Sequence, residues 1–157
     1  MIKEFTLQTL DSPVIKDLLG RMQRIRPETR ALWGRMNAHQ MVCHLNDSFS
    51  LAMGDKTASE DINVFSRTLI KWVALYAPLR WPKGVPTRPE MDQLRGGTRP
   101  VEFSHDKAAL AAAIERFARQ PNTFQFARHP TFGELTKWEW IRWGYLHADH
   151  HFRQFGV

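Results

Sequence analysis

Apolar residues recur at three- and four-residue intervals in five stretches of the chain, the period of a helix with one buried face. The first stretch opens at Ser12-Pro13, a capping residue followed by a proline suited to the first helical position. Ile15, Leu18, Leu19, Met22 and Ile25 form its stripe, and Pro27 stops it. The second follows Asn37, with Gln40 placed for a capping box, and carries Met41, His44, Leu45, Ser48, Phe49 and Ala52 up to Gly54. The third starts near Asp61, with Ile62, Phe65, Leu69, Trp72, Val73 and Tyr76, and ends at Pro78. Ser104 is placed to cap the fourth, which shows Leu110, Ile114 and Phe117 before Pro121. Thr136 caps the fifth, with Glu139 at the box position, and the helix continues to about Phe155. No gap holds a run of alternating β-formers, so the pattern predicts an all-α fold with little or no sheet.

Between the third and fourth stretches, Pro78 to Pro100 contains five prolines and three glycines. A span of that length inside a compact domain is a crossover, a lid or a disordered segment, and a crossover along the helices is the favoured reading. No internal repeat or low-complexity tract divides the chain, so residues 1–157 are read as a single domain.

Composition narrows the class only a little. A hydrophobic share of 43% with 24% charged residues is globular, not disordered. Residues 1–12 hold no apolar run of signal-peptide length, and the most apolar run, Thr68 to Leu79, is broken by Lys71 and Pro78. The lone Cys43 excludes an internal disulfide and suits a reducing compartment, so the cytoplasm is the expected location, with no membrane association. The net charge of +6 is spread along the chain without a basic arm, zinc-finger spacing or RNA-binding motif. Nucleic acid is therefore disfavoured as partner. A small anionic substrate would be attracted equally well.

The placement of the histidines carries the chemistry. On a helix turning about 100° per residue, with His147 at zero, Trp140 lies at about +20°, His151 at about +40°, Gln154 at about −20° and Gly144 at about +60°. His147 and His151 thus share the inward face, one turn apart, where two imidazoles can hold one ion. His44 occupies a core position of the second helix between Met41, Leu45 and Ser48. Three imidazoles directed into one small core are expensive unless they serve together, and a metal satisfies all three. The competing reading is three separately hydrogen-bonded histidines, aided by Asp47 and Asp149. His150, at about −60°, falls on the flank and reads as a surface or interface residue. His39 and His105 lie in first turns and read as solvated.

His129 opens a tight His-Pro-Thr-Phe-Gly entry to the last helix, from which it could reach the site mouth as proton carrier or hydrogen-bond donor. A loop-packing role is the plain alternative. Cys43 points about 100° from His44 and is not counted as a ligand. Gly144 inside a helix marks either close packing or room for a ligand. No Ser-His-Asp order, P-loop or dinucleotide glycine motif is present.

Asn37-Ala38-His39-Gln40-Met41-Val42-Cys43-His44-Leu45-Asn46-Asp47, then His129-Pro130-Thr131-Phe132-Gly133, then Leu146-His147-Ala148-Asp149-His150-His151-Phe152-Arg153-Gln154-Phe155 resemble the DinB/YfiT-like superfamily over nearly the whole chain. More narrowly they resemble its branch with HPxFG and HxDHHxxQF signatures. The resemblance implies a four-helix bundle with a long crossover, to which this chain would add one helix. It also implies a metal site of His44, His147 and His151, the set that face geometry selects. Relatives include metal-dependent transferases acting on small thiols and a thiol-dependent isomerase, while other members have no demonstrated activity. The expectation is a divalent transition metal (zinc, nickel or iron) that prepares a small-molecule thiol for attack on an electrophile. Arg142 and Arg153, near the triad in sequence, would meet the thiol's carboxylates. The alternatives are a metal-dependent hydrolase and a non-catalytic, stress-related metal-binding protein. A homodimer is compatible with the sequence.

Overall fold

The computed structural model describes residues 12–157; residues 1–11, on which the expectation about a signal peptide rests, lie outside the described residues, and Ser12, expected as a cap, is the first residue of the described helix. The described chain is helical, with α1 Ser12–Gln23, α2 Ala38–Ala52, α3 Lys71–Tyr76, α4 Phe103–Ala118 and α5 Lys137–Gln154. No strand occurs among the described residues, only an isolated antiparallel bridge between His129 and Gly133. None of their helices is long and apolar enough to cross a membrane.

Both capping boxes form as their sequences predict. Asn37 accepts from the Gln40 backbone N–H while Gln40 accepts from that of Asn37, and Thr136 and Glu139 repeat the exchange at the start of α5. At α4 the cap is Glu102, not Ser104: its carboxylate takes the backbone N–H groups of Ser104 and His105, so the serine is already inside the helix. α2 packs against α4 and α5, α1 against the same two helices, and α3 against α5. Leu18, Met22, Ile25, Phe49, Leu110, Ile114, Phe117, Trp140 and Phe152 are fully buried between them.

The third stretch departs from its sequence reading. Asp61 is extended, its N–H bonded to the Pro130 carbonyl, and the helical run begins only at Val64, where Asn63 and Ser66 cap each other. A π turn, Ser66–Ile70, then precedes α3. The wider turn shifts the phase of every position after it. Trp72, after the turn and expected inside, is 57% exposed; Phe65, just before it, and Leu69, within it, are also exposed, at 71% and 60%, while Ser66 and Leu75 take the buried positions.

Gly144 is explained by close packing. A Cβ there would lie 2.7 Å from Cε1 of Phe117 and 3.1 Å from Cε1 of Phe49, rings that pack edge to face at 5.0 Å in the core. Neither buried ring has space to retreat. Gly144→Ala is therefore expected to lower stability by about 1–3 kcal/mol despite alanine's better helix propensity. Urea denaturation would check this, and a stabilised variant would refute it.

Candidate metal centre

His44 sits at the middle of α2 and His147 and His151 one turn apart on α5, each helix held in register by its capping box. Their rings meet edge on, and His147 Nε2 lies 3.2 Å from Nε2 of both His44 and His151. The outer edges of two rings are already spoken for. His44 Nδ1 donates to the Met91 carbonyl at 2.9 Å. His151 Nδ1 donates to Gln154 Oε1 at 2.7 Å, and the Gln154 amide is oriented by its own donation to the Trp33 carbonyl. Both rings therefore carry their proton on Nδ1 and turn a bare Nε2 inward.

Three inward nitrogens then share at most the one proton that His147 can supply. Whichever way His147 is protonated, its Nδ1 is buried without a partner and at least one inward lone pair is left unmet. An ion among the three Nε2 atoms removes the conflict. Two nitrogens at about 2.0–2.1 Å from a tetrahedral zinc stand about 3.3 Å apart, close to the observed 3.2 Å. The donor set, with a carbonyl or amide oxygen behind two of the rings, fits a transition metal. Burial lowers the pKa of all three, and for His147 and His151 neighbouring histidines push the same way, so all three are neutral and able to ligate at neutral pH.

The carboxylates named as alternative partners lie elsewhere. Asp47 accepts from Gln93, from Lys56 and from both the backbone and hydroxyl of Thr98, and so pins the 78–100 segment to α2. Asp149 pairs with Arg21 and Arg153. That pairing also removes Arg153 from the site, while Arg142 is buried with Nε donating to the Leu75 carbonyl. Neither expected arginine lines the cavity beside the triad.

That cavity, of about 520 Å³, has the triad at its base and walls that include Val73, Leu79, Trp81, Val85, Phe132 and Trp143. The 78–100 segment thus crosses the molecule and walls the site at once, delivering Met91 to His44 on the way. It also carries Arg80 and Arg88 into the lining. His150, read from sequence as a flank residue, is half-buried in the same lining, with Trp33 at 5.9 Å and Trp81 at 6.1 Å packed against it. His129 lines the cavity from the opposite loop. Its Nδ1 accepts the backbone N–H groups of Thr131 and Phe132, and burial pushes its pKa down to about 3, so the ring is neutral at neutral pH.

A second cluster escaped the sequence reading. The Asp106 carboxylate accepts from His39 at 2.7 Å, from Cys43 at 3.6 Å, from the Val101 N–H and from His105. His39 is therefore paired and only partly solvated, whereas His105 is 80% exposed as expected. Burial and the adjacent carboxylate raise the Cys43 thiol to about 12. With its donors already matched, the cluster reads as a hydrogen-bonded tie between α2 and α4. Its i, i+4 half was visible in sequence, but its carboxylate arrives from 63 residues away.

These features define a helical protein whose three converging histidines have the donor set of a transition-metal centre. The chain matches the DUF1569 family, described as proteins of unknown function, over residues 6–156, and it belongs to that family. No curated protein and no solved structure matches it.

His44→Ala and His151→Ala are each expected to abolish stoichiometric metal uptake, whereas His150→Ala retains it, as elemental analysis of the three variants would show. Loss in the His150 variant with retention in the His151 variant would overturn the assignment. A pH effect is expected in metal-free protein. The folded pKa values of the triad lie below the unfolded value near 6.5, so the unfolded chain binds more protons as pH falls. Stability should be full above about 6.5 and drop below it by up to about 1.4 kcal/mol per pH unit for each of the three histidines. Urea denaturation at pH 7.5 and 5.5 measures it, and equal stability at the two values would contradict it.

Proposed function

We propose that this chain is a metal-dependent enzyme with a DinB-like four-helix bundle, holding a divalent zinc, nickel or iron ion on His44, His147 and His151 and joining a small thiol to an apolar electrophile. The observation that supports catalysis over a structural or vestigial metal is the cavity. A structural site is closed by its surroundings, whereas this triad borders a space within the usual range for small-molecule ligands. When bound, the ion would lower the thiol's pKa and hold its sulfur at the base of the cavity.

The protein's own groups supply the rest. Met91 and Gln154 keep the Nε2 lone pairs of His44 and His151 turned inward. Trp81, Leu79, Val85, Phe132 and Trp143 receive the apolar body of the electrophile. Arg80, exposed at the lining, takes the part of carboxylate partner that Arg142 and Arg153 cannot. In the reaction the thiol's sulfur uses an electron pair to form a bond to the electrophilic carbon. The leaving group departs with its bonding pair and takes up the proton the thiol gave up. Water entering in place of the thiol would make the same arrangement a hydrolase.

Purified protein should contain about one transition-metal ion per chain, measured by elemental analysis. With cobalt or nickel substituted, cysteine or glutathione is expected to produce a new thiolate charge-transfer absorption, and a chlorodinitrobenzene is expected to consume the thiol faster than in solution. Metal-free protein that also fails to take up zinc or nickel at pH 7.5 would end the metal reading. An unchanged spectrum with every thiol tried would end the transferase reading alone.

A further inference from the structure

His129 is more than 90% buried, lines the cavity, and has its tautomer set by the backbone. The N–H groups of Thr131 and Phe132 both point at its Nδ1, each at 3.1 Å. A nitrogen that accepts two donors carries no proton, so the proton is on Nε2, at the opposite edge of the ring. The ring cannot flip without losing both bonds. It is stacked on Phe132 at 4.4 Å and flanked by Trp140 and Trp143, each at 5.4 Å. The turn itself is rigid: His129 and Gly133 exchange both backbone hydrogen bonds, and the Pro130 carbonyl is held by Asp61 and Arg88. No described group accepts from Nε2. The atom is not sealed from solvent and the ring lines the cavity, so an acceptor on a bound ligand can take this N–H in place of water.

We infer that His129 Nε2–H is a fixed hydrogen-bond donor for the carbonyl oxygen of an apolar acyl compound bound in the cavity, such as an ester or thioester. This rests on the proposed enzyme and specifies its electrophile. The ligand class follows from the lining, where His129 stands among Val73, Leu79, Val85, Phe132 and Trp143, with Arg80 and Arg88 as its charged members, and so suits a largely apolar body that presents a carbonyl oxygen to His129. As the sulfur–carbon bond forms, the π pair of the carbonyl moves to its oxygen, and His129 receives that growing charge without releasing its proton. The pair then returns to carbon as the leaving group departs with its own bonding electrons. His129 is thus a donor that touches substrate, not a proton shuttle.

The test uses His129→Asn. The asparagine Oδ1 can accept the same two backbone N–H groups in an Asx turn, preserving the loop while removing Nε2–H from the cavity. The probe is 2-octanone labelled with ¹³C at the carbonyl, a ketone without a leaving group that stands in for the acyl carbonyl unreacted, bound to wild type and variant, each with and without zinc. In wild type the bound carbonyl is expected downfield of its position in an apolar solvent in both metal states. In the variant it should return to that position, with binding about 5- to 10-fold weaker. ¹⁵N correlation spectra of wild type at pH 7 should show His129 protonated on Nε2 and bare on Nδ1, a reading that stands even if the variant does not fold. Protonated Nδ1, identical shifts and affinities in the two proteins, a shift seen only with zinc, or no binding of the ketone would each overturn the inference. Zinc uptake at the triad is scored separately, so either reading can fail while the other survives.

Discussion

The structure turns on one constraint: two buried imidazoles with their protons committed outward, and a third that cannot satisfy both of the lone pairs facing it. His44 is committed by the Met91 carbonyl and His151 by Gln154. Each commitment has its own support. Met91 reaches His44 because a 3₁₀ turn, Pro89–Met91, sits in a segment that Asp47 ties down through Gln93 and Thr98. Gln154 faces His151 because its amide is anchored on the Trp33 carbonyl, across Gly34. There a Cβ would stand 2.6 Å from the Gln154 nitrogen, and φ is +82°. A side chain at residue 34 would therefore push on Gln154, and through it on the orientation of a ligand ring.

This support explains why the proline-rich span is an ordered part of the molecule. It orients one ligand from behind, walls the cavity with Leu79, Trp81 and Val85, and covers His150. Asp47 spends its carboxylate on that span rather than on a histidine, which is the physical reason the carboxylate-assisted alternative fails here. The triad is left with carbonyl and amide acceptors only, and these fix tautomers without adding a negative charge to the site. A divalent ion held there by three neutral imidazoles would keep its charge and could acidify a fourth ligand.

What could be read from sequence follows from how local each determinant is. The capping boxes at Asn37 and Thr136 are four-residue signals, and they set the phase of α2 and α5; the inward positions of His44, His147 and His151 follow from that phase alone. The third stretch could not be phased this way, because the π turn at Ser66–Ile70 rotates everything after it and apolar spacing does not announce such a turn. His150 was misjudged for a different reason. Its helical angle is on the flank as expected, but the cover comes from Trp33 and Trp81, residues of non-periodic segments. Proximity in sequence misled at Arg142 and Arg153, since neighbours on a helix point in different directions and each found a partner outside the cavity.

The division of labour along α2 and α5 bears on how the site is held. Phe49 and Gly144 lie on the same two helices as the triad, and there the interior is tightly closed around Phe117. At the level of His44 and His147 the interior opens into the cavity, and its far wall comes from loops. The apolar packing that supports the fold is thus separate from the space that takes a ligand, although both use the same two rigid elements. Ligand imidazoles placed on capped helices hold their geometry more closely than ligands on loops, while walls built from a loop span can change without disturbing the triad. His129 is the exception that clarifies the rule. It comes from a loop, yet two backbone bonds to one ring nitrogen and the closed His129–Gly133 turn hold it as firmly as a helix would. Such fixation is dispensable for a residue that only fills space, and it is what a donor aimed at one atom of a substrate requires.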